Sequence, residues 1–352
     1  MVDINLVEWL FENSGPVIRH LVQAEFGYDG QTSNVELLNS PLVVKWLDRL
    51  QPEFGFNQLH GAKRNNLENV MGKLTQLGLR AGMLPFDLRV QPFLEWFREQ
   101  TRYPVSAGFT WRPFLCMLVT PFLVRAGYLV EFLTKFALHR LESLYQFCHQ
   151  GRYDIYVDRS NFKGIPKAFR DQPLVDLDLT RGGEYSFPTI YDMHLLARFP
   201  NSLVGHRGQE KIDTIVDYVL NPDYQALPQG YGIMQAAPRK YYAVGWSAHL
   251  PGYLAEPETP FWKRAYLHRL VLMSNFQAAR QHRWYREGVA FFERFRTPDR
   301  RYSIPRQFLS EERSGCWVFG SYMGLEENRR KKITRELEST YWMLKIINRS
   351  EL

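Results

Sequence analysis

A chain of 352 residues with 45% hydrophobic and 23% charged residues can bury a large core, which excludes a disordered or low-complexity polypeptide. The formal charge of +7 favours acidic partners in general, but the basic residues are scattered, and a nucleic-acid partner is not expected. Three cysteines, Cys116, Cys148 and Cys316, exclude a disulfide framework and point to a reducing, cytoplasmic setting.

Residues 1–12 carry Asp3, Glu8 and Glu12 and lack a basic start before an apolar stretch, so no signal peptide is expected. Helical spacing is clear at Leu67, Val70, Met71, Leu74 and Leu77, closed by Gly78. Val90, Phe93, Leu94 and Phe97 mark the next helix, with Pro92 in its first turn, where the missing N–H costs little. Residues 115–126 are apolar nearly all round and end at Gly127, which predicts a helix buried on every side. The apolar run 114–124 contains Pro121 and is too short to span a bilayer. Its amphipathic partner is 129–148, with Glu131, Lys135, Arg140 and Glu142 on the outer positions.

The pattern recurs downstream. Residues 187–199 form an apolar helix stopped by Pro200 and Asn201, and Ile212, Ile215, Val216, Val219 and Leu220 form a stripe that ends at Asn221 and Pro222. Leu267, Leu270 and Val271 open a further apolar helix, partnered by 284–295. Ile333, Leu337, Tyr341, Leu344 and Ile347 share one face of the last. The dense basic run 329–332, set between acidic residues, reads as a solvated helix face.

An apolar helix followed by an amphipathic one, at least four times, predicts a single all-α domain over 1–352. Its architecture is a closed ring of helical hairpins, the α/α toroid, or an open helical-repeat solenoid. Long loops at 153–185 and 227–260 are rich in Pro, Gly, Asp and aromatic residues, and loops of this length serve function more often than mere connection. No stretch alternates long enough for a real sheet, although short pairings inside these loops are compatible with the sequence.

Five stretches carry a family likeness: Pro16-Val-Ile-Arg-His-Leu-Val22, Tyr185-Ser-Phe-Pro-Thr-Ile-Tyr-Asp192, Leu227-Pro-Gln-Gly-Tyr-Gly-Ile-Met234, Tyr241-Tyr-Ala-Val-Gly-Trp-Ser-Ala-His249 and Gly315-Cys-Trp-Val318. With the helix-pair layout, they make the chain resemble the α/α-toroid proteins related to terpenoid cyclases and protein prenyltransferase β subunits, most closely bacterial members without the catalytic motifs. The resemblance implies an apolar central cavity. It does not extend to the chemistry. Asp176-Leu-Asp178 is followed by Leu179, so the D-x-D-D acid motif is incomplete, and no cysteine has an Asp two positions before it, as a zinc-holding D-x-C pair requires. The repeated Gln and Trp motifs of triterpene cyclases are absent.

In a toroid the inner helices start near a mouth of the cavity, so polar residues at those starts are the site candidates. His60, Asp192 and His249 are the candidate proton carriers. Arg64, Trp111, Tyr185, Tyr241, Trp246, Trp317 and Tyr322 are the candidate substrate contacts. Each has a plainer reading. His60, with Lys63 and Arg64 close by to favour the neutral base form, also suits a loop histidine bonded to backbone. Asp192, in the first turn of an apolar helix, suits a capping carboxylate, and His249 suits a packed structural histidine. The aromatic loop 231–253 suits either a ligand-facing surface or a plug. No spacing matches a metal or phosphate-loop motif, so no metal and no cofactor is expected. The sequence therefore predicts binding, with transformation, of a terpenoid-like or aromatic small molecule by metal-free acid–base chemistry of the cyclase, isomerase or lyase type. A non-catalytic helical-repeat binder of a peptide, protein or nucleic acid is the alternative.

Overall fold

Helices carry most of this computed structural model, which describes residues 3–30, 32–102 and 109–350. Contacts within the chain gather into two units: Met1–Leu94 with Arg125–Gly127 and Pro251–Leu352, and Glu95–Val124 with Tyr128–Leu250. No single helix among the described residues is long and apolar enough to cross a membrane.

The first unit opens with helices that were not legible from the spacing: α1 (Ile4–Asn13), α2 (Pro16–Phe26), α3 (Asn34–Asn39), α4 (Pro41–Leu47) and α5 (Phe56–Leu59). Their boundaries are chemical. Pro16 and Pro41 occupy first-turn positions where no N–H is needed, and α2 stops at Gly27, in the left-handed region at φ 65°. Then come α6 (Leu67–Gln76) and α7 (Leu84–Thr101), the latter continuing into the second unit. Because α7 starts at Leu84, Pro92 lies inside the helix and not in its first turn as expected. The carbonyl that loses its partner belongs to Leu88, which is 67% exposed and lies on the solvent face.

The second unit holds α8 (Arg112–Ala126), α9 (Glu131–Cys148), α10 (Ile190–Leu196), α11 (Asn201–Leu220) and α12 (Pro222–Gln225). The first unit then resumes with α13 (Pro260–Met273), α14 (Gln277–Gln281), α15 (Arg283–Glu293) and α16 (Lys332–Ser350). Every residue of α6 and of α10 is buried, whereas α9, α11 and α15 bury one side only. Wholly buried and half-buried helices thus occur within each unit.

The all-α class needs correction. A four-stranded sheet in the second unit, order β1-β2-β3-β4, joins β1 (Tyr156–Val157) and β2 (Leu174–Val175) to β3 (Gly232–Ala237) and β4 (Lys240–Val244). It is built from the two long loops, with β2 parallel to β3 and the other pairs antiparallel. β3 and β4 form a hairpin that turns through Arg239 at φ 62°. Alternation did not reveal it because β3 starts with a continuously buried run and bulges between Gln235 and Ala237. Leu174, Ile233 and Tyr241 form its core, with Val157, Phe162, Ile165 and Phe169 packed against it.

In the first unit, α1 and α2 pack against α16, and Glu338 of α16 is almost fully buried. Glu338 accepts from the Leu325 and Glu326 N–H groups (2.8 and 3.1 Å) and pairs with Arg329 at 2.8 Å. Arg329 therefore turns inward, not onto a solvated face, while Lys332 keeps to the surface beside Glu336.

Glu326 accepts from the Gly15 N–H at 2.8 Å at the start of α2. Burial, aided by Glu338 and Glu327, pushes its carboxyl up to about 7, against the opposing effects of the Gly15 bond and Arg19. A carboxyl whose pKa is higher folded than unfolded binds its proton preferentially in the folded state. Stability should therefore be unaffected below the ordinary value of 4.5, fall as pH rises from there to about 7, and level off above. Glu326→Gln keeps an acceptor for Gly15 and removes the charge. Thermal unfolding should show it more stable than wild type by about 1–3 kcal/mol at pH 8 and nearly equal at pH 4.5. A gain of the same size at both pH values would sink this account.

Candidate functional site

The sequence-predicted residues fall into two groups, one in each unit. In the first unit His60 caps the end of α5 in an extended conformation, and Gly61, at φ 130°, turns the chain back toward α6. That turn brings the Gly61 N–H to Glu68 Oε1 at 2.6 Å and His60 Nδ1 to the same carboxylate at 2.8 Å. Glu68 is fully buried and His60 nearly so. The expected cationic surroundings are thus replaced by a carboxylate: Arg64 turns away, donating to the Glu312 carbonyl, with its guanidinium 5.7 Å from the Tyr322 ring centre. A carboxylate on Nδ1 fixes the orientation of the imidazole.

Asn66 and Asn69 tie the same loop to α6. Asn66 Oδ1 accepts from the Lys63 N–H, and Asn69 Nδ2 donates to the Gly61 and Lys63 carbonyls. Asn69 Oδ1 accepts from the Trp317 N–H at 2.7 Å, and Gln76 Oε1 accepts from Trp317 Nε1 at 2.9 Å. Against the Trp317 ring lie the Arg125 guanidinium, 5.0 Å from its centre, and the edge-on His268 imidazole at 4.7 Å. Lys73, completely buried, donates to the Tyr322 and Gly324 carbonyls and pairs with Glu311 at 3.2 Å. Trp317 and Tyr322 are buried at 1% and 0% exposure, with both N–H groups of Trp317 used and the Tyr322 hydroxyl donating to Gly315 at 2.9 Å. These two residues hold the fold together and offer no surface to a substrate. Cys316, beside them, has its thiol pushed up to about 12 by burial and the Glu68 charge, and is inert.

In the second unit Asp192 is 1% exposed and its carboxylate is fully engaged. Oδ1 accepts from Arg140 Nε at 2.7 Å, while Oδ2 accepts from Arg140 Nη2 at 2.8 Å and from the Thr189 N–H and hydroxyl, both at 2.7 Å. Thr189 returns the bond to the Asp192 N–H, completing a capping box on α10. Burial works against the Arg140 charge, and Asp192 more than offsets it, so the guanidinium is held charged with its pKa raised. Arg140, placed outward by the spacing, points inward. Asp192 caps α10 and pairs with Arg140, its Oδ2 accepting three hydrogen bonds and its Oδ1 one.

His249 is likewise enclosed. The Gly230 N–H donates to Ser247 Oγ at 3.1 Å, Ser247 Oγ lies 2.8 Å from His249 Nδ1, and His249 Nε2 lies 2.8 Å from the Leu227 carbonyl. A carbonyl only accepts, so Nε2 carries a proton and donates to Leu227. The imidazole is a strut that holds the 227–249 loop. Tyr241 points into the small sheet core, its hydroxyl donating to the Lys163 carbonyl at 2.9 Å. Asp176 caps a short turn through the Asp178 N–H, and neither aspartate forms an acid pair.

Three predicted substrate contacts do meet. Trp111, Tyr185 and Trp246 join a continuous aromatic wall. Phe109 and Tyr242 pack on Trp111 (5.0 and 4.8 Å between ring centres), Phe114 lies 4.3 Å from Trp246, and Tyr185 stacks on Trp246 and Phe187 at 6.1 and 5.5 Å. Phe109, Trp111, Tyr242 and Trp246 are only partly buried, whereas Phe114 and Tyr185 are wholly so. The Tyr185 hydroxyl is buried with no hydrogen-bond partner among the described residues, and burial raises its pKa, which keeps it protonated. Tyr242 belongs to the aromatic loop 231–253, whereas Phe109 and Phe114 were missed because lone Phe rings read as core; the cluster Phe109-Thr-Trp-Arg-Pro-Phe114 was the available signal. Glu68 was missed because a lone acid in a helix's first turn reads as exposed.

Among the described residues no cluster of three or more His, Cys, Asp or Glu side chains is arranged to hold a metal ion. No family model, curated protein or solved structure matches the chain.

Proposed function

We propose that this chain is a toroid-type helical protein that binds a hydrophobic small molecule, terpenoid-like or aromatic, against the aromatic wall of its second unit. One observation carries the reading: Phe109, Trp111, Tyr242 and Trp246 cluster, yet all stay partly reachable. Rings that could have been sealed in a core but keep open faces suit an apolar ligand. The buried, unpartnered Tyr185 hydroxyl supplies one polar contact to a ligand oxygen, and an orphaned buried donor calls for such an explanation. A wholly buried helix occurs with half-buried ones in each unit, α6 with α15 in the first and α10 with α9 and α11 in the second, which is the burial pattern the sequence resemblance implies. Where the ligand is transformed, metal-free cyclase-, isomerase- or lyase-like chemistry fits, since each ring face stabilises developing positive charge by about 0.5–2 kcal/mol.

Tryptophan fluorescence titration of the purified chain with farnesol and with indole tests this. Saturable quenching by at least one of them is expected, weakened tenfold or more in Trp246→Leu while circular dichroism is unchanged. Unsaturable quenching by both, or equal binding by the variant, would remove the ligand site and leave the helical-repeat binding protein in its place.

A further inference from the structure

A cleft of about 240 Å3 opens in the first unit, between the end of α4, the short α5 and the start of α6. Its apolar part is small, the buried side chains of Leu50 and Leu67, and the rest of its lining is amide and charge. Three charged residues line it: Arg49, Glu53 and Lys63. None of the three forms an ion pair among the described residues, and the neighbouring Asp48 is taken by Arg89 at 3.3 Å. Arg49 meets only neutral groups. Its Nη1 lies 3.4 Å from Asn65 Oδ1, its guanidinium carbon lies 5.6 Å from the Trp46 ring centre, and its enclosed Nε has no hydrogen-bond partner among the described residues. The walls are tied together through the buried Asn66, whose Nδ2 donates to the Asn57 and His60 carbonyls and whose Oδ1 accepts from the Lys63 N–H at 2.8 Å. The cleft is therefore built before any ligand arrives.

We propose that this cleft binds a free acidic amino acid, a small molecule with two carboxylates and one ammonium. Charge selects it first. Two cations and one carboxylate, all without counter-ions, are complementary to that ligand group for group. The Arg49 guanidinium, with Nε unspent, offers the parallel pair of donors that a carboxylate accepts. Lys63 supplies a point charge for the second carboxylate, and Glu53 accepts from the ammonium. A dicarboxylate without the ammonium would bring negative charge against Glu53, and a ligand with one carboxylate would leave one cation unmet. Size agrees, since a cavity of about 150 Å3 holds the six carbons of benzene, so this one suits about ten non-hydrogen atoms, as in glutamate. The Asn57, Gln58 and Asn65 amides are placed to bond the remaining carboxylate oxygens, and Leu50 and Leu67 to meet the methylenes.

Titration calorimetry on the full chain tests this with L-glutamate, L-glutamine, glutarate and inorganic phosphate. L-glutamate should bind saturably, and each of the other three at least tenfold more weakly. Arg49→Gln and Lys63→Gln should each weaken L-glutamate tenfold or more. Glu53→Gln should weaken L-glutamate as much but should not weaken glutarate, which has no ammonium. Lys63 and Glu53 are exposed, so these two variants should unfold at the wild-type temperature and keep the test open if Arg49→Gln does not fold. Trp246→Leu should leave L-glutamate binding intact, which separates this cleft from the aromatic wall of the second unit. The proposal is overturned if L-glutamate does not saturate, if phosphate or glutarate binds as tightly, or if neither Lys63→Gln nor Glu53→Gln changes L-glutamate binding.

Discussion

Asp192→Ala should destabilise the protein by about 3–5 kcal/mol, because it strands the Arg140 guanidinium in a site where both partners are almost fully buried. The loss has two parts. Arg140 keeps its bonds to the Tyr185 and Phe187 carbonyls but has no counter-charge, and α10 loses the capping box formed by Thr189. Denaturant unfolding followed by circular dichroism measures it. The double variant Arg140→Met, Asp192→Leu should recover much of the loss, since apolar groups of similar volume need no counter-charge. A catalytic aspartate would behave otherwise: its removal would spare stability and abolish turnover. A cost below about 1 kcal/mol would mean that water reaches the pair and that the burial argument fails.

Trp317→Ala should cost about 3–5 kcal/mol, by opening a cavity against α6 and leaving Gln76 Oε1 without the indole N–H that it accepts. Its counterpart is Gly72, where an added Cβ would sit against the Trp317 ring closer than the 3.0 Å that real Cβ atoms keep. Alanine for glycine inside a helix is ordinarily stabilising by about 0.5–1 kcal/mol. Here Gly72→Ala should instead cost about 1–3 kcal/mol, because the indole N–H is tied to Gln76 and the Trp317 backbone N–H to Asn69, so the ring cannot give way. In the Trp317→Ala background the same change should become neutral or stabilising. Additive effects of the two substitutions in a double-mutant cycle would show that the ring does not press on Gly72.

His60 and Asp192 show where the sequence stops informing. Both were singled out by their position ahead of or within the first turn of an apolar helix; Asp192 does sit in the first turn of α10, whereas His60 closes α5, in the loop before α6. Their chemistry depended on partners that position could not reveal: Glu68 on His60, and Arg140, 52 residues from Asp192, on the other. Local spacing had placed Arg140 outward because a charged side chain on an amphipathic helix costs least in water; a matched carboxylate at a capped helix start reverses that preference.

What the amino-acid order determined by itself is the set of signals that act within a few residues: the 3.6-residue apolar spacing of α6, α11 and α16, and the stops at Gly78 and Gly127; the expected stop at Pro200 and Asn201 instead begins α11, and the preceding helix ends at Leu196. The tertiary structure alone decided which polar groups enter the core together, how two long loops pair through β2 and β3, and which aromatic rings stay reachable. Those outcomes turn on desolvation and on contacts such as Trp317 with Asn69, 248 residues apart. Desolvation is a property of the packed whole, so no window of sequence contains it.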